Sequence, residues 1–119
     1  MLDQAAETPM TPYIAILLSE SSGSVGSAGR SPLYCEDIML VHATSIEDAR
    51  DRARRRGEQA STTYATADGG QVRWSFVQVV DVAPILDNDL TRDADLYARF
   101  FRNHQAYRAF EPLLDAAPL

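Results

Sequence analysis

The chain has 119 residues, 45% of them hydrophobic and 24% charged, with a net charge of −6. That suits one globular domain and argues against general affinity for nucleic acid, whose phosphates need a basic face. All eleven basic residues are arginine, which excludes Schiff-base and phosphate-lysine chemistry, and a single cysteine excludes an internal disulfide. No apolar run approaches the roughly 18 residues of a membrane-spanning helix. The opening MLDQAAETPMTP is acidic and polar, unlike a secretory signal, so a cytoplasmic protein is expected.

Residues 1–11 read as a flexible arm, 12–111 as one α+β domain and 112–119 as a tail. Tyr13 to Glu20 (YIAILLSE) is a short apolar run with β-branched and aromatic residues, and predicts a buried strand. Ser21 to Pro32 has loop composition, with three glycines and a closing proline. Tyr34 to Ala43 predicts a second strand, with Ile38 and Leu40 on one face and Met39 and Val41 on the other. Two apolar faces suggest a central position in the sheet. Cys35 within it reads as a small, partly buried apolar residue.

Thr44 with Glu47, or Ser45 with Asp48 one residue later, forms a capping box that starts a helix. The helix is expected to run to about Arg56 and to stop at Gly57, with Ile46, Ala49, Ala53 and Ala60 facing the sheet. Acids open it and arginines close it, matching the helix dipole. Thr62 to Thr66 and Val72 to Val82 predict two further strands, joined at Asp68-Gly69 by a hairpin turn of the kind that needs positive φ. Along the last strand Val72, Trp74, Phe76, Val80 and Val82 are assigned one face, and Arg73, Ser75 and Asp81 the other. A second helix is expected from about Asp93 to Phe110, its apolar side made by Leu96, Phe100, Tyr107 and Phe110 and widened by Tyr97 and Phe101. The order β-β-α-β-β-α predicts a four-stranded, mainly antiparallel sheet with both helices packed on it.

Taken together, YIAILLSESS, PLYCEDIMLVHA, SIEDARDRA, GGQVRWSFVQVVDV and DLYARFFR resemble the bacterial domain of unknown function 4288 family, over about Tyr13 to Arg102. The resemblance rests on Glu20-Ser21-Ser22 ending the first strand, on Tyr34 and Glu36 opening the second, and on Trp74 and Phe76. Cys35 stands where the family is expected to carry an acid. The resemblance implies the fold and brings no activity with it.

Several constellations bear on chemistry. Gly29-Arg30-Ser31 imitates the end of a phosphate-binding loop, but Ser24 stands where its first glycine belongs and a strand follows instead of a helix. Glu20 and Glu36 flank the same loop; brought together they could share a proton or act as acid and base, and otherwise they are strand-end acids. His42 is about 20 Å along the strand from Glu36, too far to share a metal. It could instead hydrogen-bond at the start of the first helix, while His104 reads as a boundary residue of the core. No serine lies in a nucleophile elbow. Arg54-Arg55-Arg56 reads as a solvated helix end. Trp74 reads as core rather than as a stacking platform.

The leading expectation is a small cytoplasmic binding or accessory protein acting by protein–protein contact, of the immunity or biosynthetic-helper kind. It is expected to be homodimeric, with neither cofactor nor metal and with no nucleic-acid or membrane partner. Tyr34, His42, Arg73 and Trp74 are its candidate binding residues. The alternative is a small metal-independent enzyme acting on a small organic molecule, with Glu20 and Glu36 as the catalytic carboxylates.

Overall fold

The computed structural model describes residues 8–23, 32–67, 69–87, 89–111 and 114. Strands β1 (Thr11–Gly23) and β2 (Tyr34–Ala43) are followed by helix α1 (Ile46–Gln59), strands β3 (Thr62–Ala65) and β4 (Gln71–Pro84), and a short helix α2 (His104–Phe110). The fold is the expected α+β class in the order β-β-α-β-β-α. The sheet is antiparallel with spatial order β2-β1-β4-β3.

β1 and β4 are the central strands. Tyr13 to Leu17 are buried without interruption, which requires cover on both faces. Tyr13, Ala15 and Leu17 point to α1 and pack with Val41, Ala43, Ala49, Ala53 and Val82. Ile14 and Ile16 point to the opposite face and pack with Ile85, Val80 and Tyr97. β2, expected in the centre, is an edge strand. Its α1-facing residues Met39 and Val41 join the core, whereas Ile38 and Leu40 on the other face are 63% and 43% exposed. A pattern apolar on both sides fits a covered strand and a half-covered one equally well. Cys35, on this edge, is exposed rather than partly buried.

α1 begins at Ser45, whose Oγ accepts from the Asp48 amide at 3.0 Å, while the Asp48 carboxylate reaches back to the Thr44 amide at 2.9 Å. This is the second of the two expected capping registers. The buried stripe is Ala49, Ala53 and Gly57, at four-residue spacing. Gly57 is therefore inside the helix rather than its stop, and the helix ends at Ala60. The reason is steric: a Cβ at Gly57 would lie 2.4 Å from Cδ1 of Phe76. Ile46, expected on this stripe, is 39% exposed, and Ala60 is exposed.

β4 carries two irregularities against β1. Ile16 faces Asp81 but Leu17 faces Val79, and Leu18 faces Gln78 but Ser19 faces Phe76. Val80 and Val77 are thus extra residues, as in β-bulges. The strict alternation expected for β4 fails between them: Val80 joins the open-face cluster, and Val79 packs with Phe76 on the α1 side. The β3–β4 turn is wider than the expected two-residue hairpin. Thr66 N–H donates to Gly70 O at 2.9 Å, and Gly69 takes φ +87° within the loop. Asp68 lies outside the described residues.

The C-terminal third departs furthest from expectation. The helix expected from Asp93 is confined to His104–Phe110, and residues 94–103 form neither helix nor strand. Local bonds favour an extended path here. Asp87 N–H donates to Asp95 O at 2.9 Å, Asp95 N–H donates to the Asp87 carboxylate at 2.8 Å, and the Tyr97 hydroxyl is bonded to Asp81 on β4. Helix starts only where Asn103 Oδ1 accepts from the Ala106 amide at 3.0 Å. α2 packs against none of the strands and not against α1, and it buries no residue. His104, read as a core-boundary residue, is exposed.

Candidate functional site

Most of the candidate residues sit on the sheet face opposite α1, because the even-numbered residues of β1 and β2 point there. Glu20 lies between Tyr34 of β2 and Ser75 of β4. The Tyr34 hydroxyl donates to Glu20 Oε2 at 2.8 Å, and that hydrogen bond, together with repulsion between carboxylate and phenolate, raises the Tyr34 pKa. Glu36 is opposite Leu18, the diagonal neighbour of Glu20. Such positions are roughly 7–8 Å apart, and the Glu20 carboxylate is turned to Tyr34 with no hydrogen bond to Glu36.

His42 is exposed at the far end of β2, opposite Pro12. The start of α1 is instead served by Thr44, Ser45 and Asp48. Arg73 stands between Ser22 and Thr63, and Trp74 between Ser21 and Thr62. Trp74 is half-buried, and Arg73 lines a groove with Arg50, Arg54 and Glu58 of α1. No hydrogen bond or ion pair joins Arg73, Trp74 or His42 to the Glu20–Tyr34 pair. The structure thus brings together Glu20, Tyr34 and Glu36, and leaves the other three apart.

The neck of the loop before β2 is clasped by Ser21, whose amide donates to Leu33 O and whose Oγ accepts from the Leu33 amide, both at 2.8 Å. The middle of that loop, residues 24–31, lies outside the described residues, and the Gly29-Arg30-Ser31 stretch with it.

Two features escaped the sequence. The first is the lock between Tyr97 and Asp81. This hydrogen bond is the main cause of a raised Tyr97 pKa, with burial and the charge of Asp81 adding to it. The second is a groove of about 630 Å³ walled by Phe100, Phe101, Tyr107 and Phe110, with Glu36, Arg99 and Glu111 beside them. Phe101 and Tyr107 stack with centroids 4.8 Å apart, while Phe100 is 94% and Phe110 71% exposed. The adjacent pair Phe100-Phe101 was the available signal, since two neighbouring aromatics cannot both point into one narrow helix stripe.

Chemically, this face offers aromatic surface with two carboxylates, Glu36 and Glu111, and one guanidinium, Arg99, beside it. No group of three or more His, Cys, Asp or Glu residues placed to hold a metal occurs among the described residues. No described helix is long and apolar enough to cross a membrane. No curated protein and no solved structure matches the chain. Residues 12–98 match the family described as Domain of unknown function (DUF4288), a span holding all of the sheet but Thr11, together with α1 and the Tyr97 lock. With most of its length inside that match, the chain belongs to the DUF4288 family.

Proposed function

We propose that this chain is a small binding or accessory protein of the cytoplasm, of the immunity or biosynthetic-helper kind, which acts by contact with another protein through its C-terminal aromatic groove. The observation that carries this reading is the exposure of Phe100, Phe101 and Phe110, at 94%, 58% and 71%. Clustered aromatics left in water are characteristic of contact surfaces. Charge of both signs borders the aromatics, with Arg99 beside Glu36 and Glu111 in the groove lining. Such a rim would favour a partner surface of mixed charge. The carboxylate-enzyme alternative is less well supported, because the Glu20 carboxylate is engaged by Tyr34 rather than by Glu36.

A photoreactive phenylalanine analogue at position 100, introduced into the full chain in its native cells, tests this. Covalent adducts with a second protein are expected at position 100 and not at the exposed control position Glu47. Equal labelling at both positions, or adducts made only of two copies of this chain, would overturn the reading.

A further inference from the structure

We propose that two copies of this chain join along their β2 edges, antiparallel about a two-fold axis at Met39, so that two four-stranded sheets become one continuous sheet. The contact shares Glu36 with the rim of the aromatic groove but uses none of its aromatic walls, and it stands independently of the function proposed above.

β2 is a long and regular edge. It pairs with β1 from Thr11↔Ala43 to Glu20↔Tyr34 without a register shift, so no bulge twists its outer side away. The sequence YCEDIMLVHA has no proline and no lysine to blunt it, and its two acids, Glu36 and Asp37, sit together toward one end. The opposite edge, β3, has only four residues. On the face away from α1, Ile38 and Leu40 are largely exposed, with Glu36 before them and His42 after them.

That order of side chains complements itself. In an antiparallel register centred on Met39, Ile38 faces the partner's Leu40 and Glu36 faces the partner's His42. Symmetry makes each pair twice. Sliding the register by two residues keeps one apolar pair, Ile38 with Ile38 or Leu40 with Leu40, but loses the charge match: Glu36 then faces Leu40 in one direction, and Ile38 faces His42 in the other. A slide by one turns one copy's open face to the other's α1 side.

The α1 side carries an independent charge match. A groove of about 380 Å³ runs between β2 and α1, lined by Met39, Val41, Arg52, Arg55 and Arg56. The Met39-centred register sets the partner's Asp37 opposite Val41, at this groove. Arg52 and Arg55 are already bonded to Asp48 and Asp51, whereas Arg56 has no ion-pair partner among the described residues. The partner's Asp37 would bring it one. A second copy is the fitting occupant because each side supplies what the other lacks, as a two-fold contact demands.

Light scattering during gel filtration of the purified full chain tests this. The expected mass is twice 13.1 kDa. Ile38→Asp, at an exposed position, is expected to weaken the dimer at least tenfold while leaving the urea midpoint of the monomer unchanged. Glu36→Arg alone and His42→Glu alone should each weaken it. The two combined should restore it, since the cation and the carboxylate would then have exchanged places across the same contact. A monomer at the highest concentration reached would overturn the proposal. So would a dimer indifferent to Ile38→Asp, or a double variant no better than the single ones.

Discussion

Gly57→Ala offers the most exacting test of how α1 sits on the sheet. In a helix interior alanine is favoured over glycine by about 0.8–1.0 kcal/mol, so an isolated helix would gain that much. Here the new Cβ would come within 2.4 Å of Cδ1 and 2.5 Å of Cε1 of Phe76. Ordinary carbon contacts are about 3.5–4.0 Å, so the overlap exceeds about 1 Å at both atoms. Overpacking of this kind costs about 1–3 kcal/mol, because the ring must turn or α1 must lift from β4. The net expectation is a loss of between about 0 and 2 kcal/mol. Removing the ring reverses the sign: in a Phe76→Ala background, Gly57→Ala should stabilise by about 0.8–1.0 kcal/mol. Urea unfolding of the four proteins gives the coupling directly, with an expected value of about 1–3 kcal/mol. Equal stabilisation by Gly57→Ala in both backgrounds would refute the close packing of Gly57 on Phe76.

Other outcomes follow from the caps and from the Tyr97 lock. Ser45→Ala removes the acceptor of the Asp48 amide and should cost about 1 kcal/mol in urea unfolding. The Asp48 pKa is lowered, chiefly by the hydrogen bond from the Thr44 amide. Its contribution is therefore complete above the usual carboxylate range and is lost as pH falls through the lowered value. Asp48→Asn should accordingly destabilise at neutral pH and approach the parent protein in strong acid. Tyr97→Phe should cost about 0.5–1.5 kcal/mol and speed amide exchange across residues 94–103. Because the folded Tyr97 pKa is raised, the stabilisation it provides is present below the ordinary tyrosine value and disappears as pH climbs through the raised one. Alkaline titration should then release this segment before the sheet unfolds. Phe100→Ser, at a side chain 94% exposed, should leave the urea midpoint nearly unchanged, within about 0.5 kcal/mol.

Much of the fold was readable because its determinants are local. The Ser45/Asp48 cap, the limits of β2 and the pairing of β1 with β2 each depend on residues within a short stretch. The same hairpin geometry made the approach of Tyr34 to Glu20 foreseeable. What escaped depends on distant neighbours. Ile38 and Leu40 look alike whether a layer covers them or not, so the edge position of β2 was hidden. Phe76-Val77-Gln78-Val79-Val80 is apolar at both parities and conceals two extra residues. Leu96, Phe100, Tyr107 and Phe110 do follow helical spacing. A hydroxyl bonded to Asp81 and the Asp87–Asp95 bridge hold much of that stretch extended instead. The aromatic groove that results has no signature in periodicity.

The two extra residues of β4 also set where this strand can change length. Elsewhere in a strand, loss of one residue turns every side chain on one side of the gap to the wrong face. Deleting Ser75 would send Trp74 to the face that Ser75 had occupied, or force the β3 pairing to slide. Val77 and Val80 have no partner of their own across β1. A chain shortened at either place would keep all its other pairs and faces, giving up one valine side chain and a local bend. These two valines are the points at which an otherwise rigid central strand can gain or lose a residue without being rewritten.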